Sequence, residues 1–96
     1  MNTENMLTRE NVEPIVILME KEFDSHDFIK EFIWNNPAIY GALLIHYNNV
    51  RTVHSQISIF LLNHAEELEI EKNGEEESDD LFGHLTPCAK WKRLRL

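Results

Sequence analysis

An all-α fold is what the sequence predicts: a small bundle of four helices closed by a short C-terminal fifth helix or ordered tail. Three observations carry that expectation. Val50 to Ile70 places Val50, Val53, Ile57, Phe60, Leu61, His64 and Leu68 at the three- and four-residue steps of one helical face. Helix-start signals recur along the chain, with Asn, Asp, Ser or Thr ahead of apolar runs and Pro close behind. Finally, IVILM (residues 15–19) is the one strand-like run, and no second one offers to pair with it.

The first helix is expected from Asn11, with Pro14 in the first turn, to about Phe23. Asp24 or Ser25 caps the second, and Asp27 adds negative charge where the helix dipole is positive. Phe28, Ile29, Phe32 and Ile33 form its core stripe, and Trp34 lies off it. Asn36-Pro37 stops that helix and starts the third, AIYGALLIHY, which is apolar around nearly its whole circumference. Gly41 inside it weakens the helix by about 1 kcal/mol against alanine, a cost usually tolerated for a close helix crossing. Asn48-Asn49 makes a turn, and Asn49 or Thr52 caps the long fourth helix, where Phe60 is expected in the core. Asn73-Gly74 is its expected stop, and Thr86-Pro87 reads as the start of a fifth helix, CAKWKRLRL. The domain map that follows has a flexible N-terminus (1–10), a helical core (11–72), an acidic linker (73–80) and a basic tail (81–96) whose Trp91 docks on the core.

Ninety-six residues suffice for one small core and leave little for a deep substrate cleft, so an enzyme is not expected. No apolar run is long enough to span a bilayer, the N-terminus lacks the order of a secretory signal, and Cys88 has no partner cysteine. A cytoplasmic protein without membrane contact follows as the expectation. The net charge of −8 is segregated: residues 66–80 hold nine acids against Lys72, and residues 81–96 hold four bases and no acid. Such a chain repels nucleic acid at long range.

Helix three, its turn and NVRTVHSQISIFL resemble a helix-turn-helix, which implies Arg51, Thr52, His54, Ser55 and Gln56 as DNA-contacting residues. Against it stand the sparse positive charge and the glutamates Glu66, Glu67, Glu69 and Glu71 that follow, so plain bundle packing is the preferred reading and nucleic acid is not the favoured partner. Asp24, His26 and Asp27 cluster where capping explains them, and the remaining histidines show no metal-ligand spacing, so no metal or cofactor is expected. Cys88 with His84 four residues earlier lacks a third group to orient the histidine, and packing is the simpler role. Off the core stripes stand Trp34, Ile59 and Leu62, with Trp91 in the tail. They point to a non-enzymatic protein–protein interaction module that engages a protein partner or forms a homodimer.

Overall fold

The computed structural model describes residues 6–94; residues 1–5, which fall in the segment expected to be flexible, and 95–96 lie outside the described residues. Five helices and three strands follow in the order α1 (Arg9–Leu18), β1 (Glu22–Asp24), α2 (Ser25–Asn35), α3 (Pro37–Tyr47), α4 (Val50–Asn63), α5 (Ala65–Leu68), β2 (Ile70–Asp79) and β3 (Leu85–Arg93). The strands form one antiparallel sheet in the order β1-β3-β2. The fold is therefore α+β, and the all-α four-helix bundle is corrected.

The helical half follows local chemistry closely. Thr8, rather than Asn11, caps α1, its hydroxyl accepting from the Asn11 amide at 3.3 Å. That helix ends at Leu18, short of the expected Phe23, because Phe23 belongs to β1. Asp24 caps α2 in a reciprocal box with Asp27, accepting from its amide at 2.8 Å. Pro37 opens α3, where its missing amide proton costs nothing, and Asn49 caps α4 by accepting from Thr52 at 2.9 Å. The core gathers Val12, Ile15 and Val16 of α1, Phe28, Ile29 and Phe32 of α2, and Val53, Ile57 and Leu61 of α4.

The sheet is where expectation and structure part. The long helix breaks at His64, and α5 ends at Leu68, followed by Glu69, whose left-handed φ of 56° turns the chain into β2. Residues 73–79, read as linker, lie within β2. Asn73-Gly74 is a bulge and not a terminus: the register slips by one residue between Lys72 and Glu75, and Gly74 takes a φ of 92° that side chains disfavour. The expected fifth helix is β3, and its bases meet the acids of β2, with Glu71 opposite Lys92 and Lys90 Nζ 3.6 Å from Glu76 Oε1. Opposite charges on facing strands favour this pairing, whereas like charges four residues apart, as Glu71 and Glu75 are, would repel within a helix. Pro87 is tolerated because β1 pairs only with Lys90–Lys92, leaving β3 a single neighbour at that point. Trp91 fixes the hairpin to the helices: it is 1% exposed and its indole donates to Ser25 Oγ at 3.0 Å.

Candidate functional site

Two surfaces stand out among the described residues once this core is built. One is a groove of about 530 Å³ between α4, the start of α2 and the β2–β3 hairpin. Its hairpin wall is shaped by Asp80, whose carboxylate accepts from the amides of Phe82 (2.8 Å) and His84 (3.0 Å) and holds the tip closed with Gly83 at φ 75°. The His84 amide above all, with that of Phe82 behind it, draws the Asp80 pKa below the ordinary aspartate value and outweighs an opposing desolvation effect. His54 on α4 is stacked between Tyr40 and Phe82 and shares a 2.8 Å hydrogen bond with the Tyr40 hydroxyl. Burial, aided by the nearby His26, pushes its pKa down and Asp80 opposes this, which on balance favours the neutral ring.

At the end of β1 and the start of α2, Asp24 and His26 meet Cys88 of β3, with one potential ligand atom from each lying within 4.8 Å of the others. The pairings Asp24↔Lys90, Glu76↔Cys88 and Ser78↔Thr86 set Asp24, Cys88, Ser78 and Thr86 on one face of the sheet. His26 Nδ1 lies 2.7 Å from Ser78 Oγ and its Nε2 3.2 Å from Thr86 Oγ1, while Ser78 Oγ is 3.5 Å from Cys88 Sγ. Asp24 is only 4% exposed. Burial works hardest on it and disfavours its charge, yet the Asp27 amide, the Ser78 hydroxyl and His26 outweigh that and hold its pKa below the usual value.

The second surface is α3. It contains no Asp, Glu, Lys or Arg, and Leu43 is its one fully buried residue. Ile45 is 84% exposed, and Ala38 and Gly41 share its face at steps of three and four. The close crossing expected at Gly41 is absent: a methyl built there meets nothing within 4 Å.

Of the residues expected to bind a partner, Trp34 is 84% exposed at the end of α2, and Ile59 and Leu62 stand out from α4 at 44% and 55%. Trp91 lies in the core and offers no surface. Of the five residues implied by the helix-turn-helix resemblance, Arg51, His54 and Ser55 line the groove facing the hairpin, while Thr52 and Gln56 are half-buried. Gln56 lines a separate cleft with Leu7 and Phe60. Among the described residues no helix is long and apolar enough to cross a membrane. The meeting of Asp24 and His26 with Cys88 is not legible in the sequence, since the hairpin that joins them is itself not legible; His84, the histidine nearest Cys88 in sequence, sits exposed at the hairpin tip. Comparison with protein-family models, curated proteins and solved structures gave no match.

Proposed function

We propose that the protein is a small, non-enzymatic, cytoplasmic interaction module that self-associates through the outer face of α3. The observation that carries the reading is the mismatch between composition and burial in that helix. A helix apolar all round belongs inside a fold, yet here only Leu43 is fully buried. Two other exposed apolar residues, Ile17 and Leu18, are less suited to the task. Ile17 shares a cleft with Arg9, Glu13 and Glu67, and Leu18 one with Glu20, Glu22 and Asp27. A face without formal charge is where two copies of a −8 chain can meet with least repulsion. Gly41, which costs the helix stability and where an added methyl would meet nothing within 4 Å, gives a flat place for the symmetry-related helix to cross. Trp34, at the corner between α2 and α3, is placed to extend the contact.

The helix-turn-helix alternative has less support, because the hairpin tip with Phe82 and Asp80 stands against the α4 face that would have to enter a groove of DNA. Light scattering on the eluting protein across a range of concentrations tests the proposal. Dimers that dissociate on dilution, and an Ile45→Glu variant that is monomeric but folded, are expected. A wild-type chain that stays monomeric at the highest concentration, or an Ile45→Glu variant that dimerises equally well, contradicts it.

A further inference from the structure

We propose that Asp24, His26 and Cys88 form a binding site for a borderline-soft divalent metal ion such as Zn²⁺, where His26 and Cys88 line the groove between α4 and the hairpin and Asp24 is buried beside them. The donor set is one carboxylate, one imidazole and one thiol, a combination that suits zinc and leaves a fourth position for water. The three come from rigid elements, a strand end, the first turn of a helix and a paired strand, so their mutual placement does not depend on a loop. Their candidate ligand atoms already lie within 4.8 Å of one another. Tetrahedral zinc, with bonds of about 2.0–2.3 Å, asks for separations of about 3.5 Å, an adjustment within side-chain reach.

The surroundings fit a metal centre in two further ways. Thr86 Oγ1, 3.2 Å from His26 Nε2, is placed to accept that nitrogen's proton, which leaves the Nδ1 lone pair facing the cluster. Ser78 Oγ, bonded to Nδ1 and near Cys88 Sγ, lies between the two ligands, and rotation about one bond removes it. Two cations stand nearby: Lys90, which is offset by Glu76 at 3.6 Å, and Arg51, which lines the same groove. Binding replaces the Cys88 thiol proton, which leaves to solvent, by a sulfur–metal bond, with no oxidant or reductant needed. The site is independent of self-association through α3.

Titration of the full chain with Co²⁺ tests it, because a thiolate on cobalt gives a near-ultraviolet charge-transfer band. One ion per chain is expected, with the band lost in Cys88→Ser and retained in Ser78→Ala. His26→Gln and Asp24→Asn should bind at least about tenfold more weakly. Asn remains a good helix cap, so the Asp24→Asn variant keeps α2 intact. Zn²⁺ should also slow alkylation of Cys88 in the wild-type chain, a readout that needs no variant. No band, a band that survives Cys88→Ser, an affinity unchanged in His26→Gln, or an alkylation rate indifferent to Zn²⁺ would each overturn the site.

Discussion

Helices α3 and α4 are neighbours, α3 the more apolar of the two, and they are used in opposite ways. In α4 the apolar residues fall in register, so Val53, Ile57 and Leu61 form one face with no exposure at all, and polar residues such as Arg51 and Ser55 take the outside. In α3 they are spread round the axis; Leu43 reaches the core and Ile45 is left in solvent. Hydrophobicity alone does not decide burial. Periodicity does, because a helix packed on one side can hide only one stripe. What α4 spends on stability, α3 keeps as surface.

The largest expected effect is on the buried side of that contrast. Leu61→Ala should lower unfolding stability by about 2–5 kcal/mol in a denaturant titration, and Leu43→Ala should behave alike, since both are fully buried leucines. A much smaller loss for Leu43 would mean that α3 is hardly anchored. Phe60, expected in the core from its spacing, is only partly buried and stacks on His64 with ring centroids 4.1 Å apart. Its replacement by alanine should therefore cost less than the roughly 3–5 kcal/mol of a fully buried ring.

Acid should act on the fold through Asp24. Because its pKa is held down in the folded state, its stabilising contribution is complete above the unfolded value, near 3.8, and fades as pH falls through the lower folded value. Stability measured against pH should thus fall more steeply in this window for the wild type than for Asp24→Asn. Equal slopes would show that the capping carboxylate carries no such linkage. The smallest effect is expected at Ile45: Ile45→Ala should change monomer stability by no more than about 0.5 kcal/mol, as for other exposed sites. A loss comparable to that of Leu43→Ala would place Ile45 inside the fold and remove the contrast.

The same contrast explains what could be read in advance. The caps at Asp24 and Asn49, the helix start at Pro37 and the α4 face are local signals, set by residues a few positions apart, and the structure keeps them. The hairpin is not local. No apolar alternation marks β2, whose ten residues IEKNGEEESD bury only Ile70. They become a strand because β3 offers Lys90 and Lys92 across the ladder and because Trp91 is drawn into the core beside Ser25, sixty-six residues earlier. Segregated charge in the sequence marked the two segments as complementary without saying that they were strands. Asp24, His26 and Cys88 inherit that limit, since only the pairing of β1 with β3 brings them together. Residues exposed because they miss a stripe, such as Trp34, are legible; residues brought together by a sheet that the sequence does not announce are not.

The claim that α3 is a self-association surface is tested most directly by nuclear Overhauser contacts between isotopically labelled and unlabelled copies mixed in one sample. Intermolecular contacts linking Ala38, Gly41 and Ile45 of one copy to α3 of the other are the predicted result. Intermolecular contacts confined to the β2 edge or the hairpin tip, or none in a concentrated sample, would contradict it.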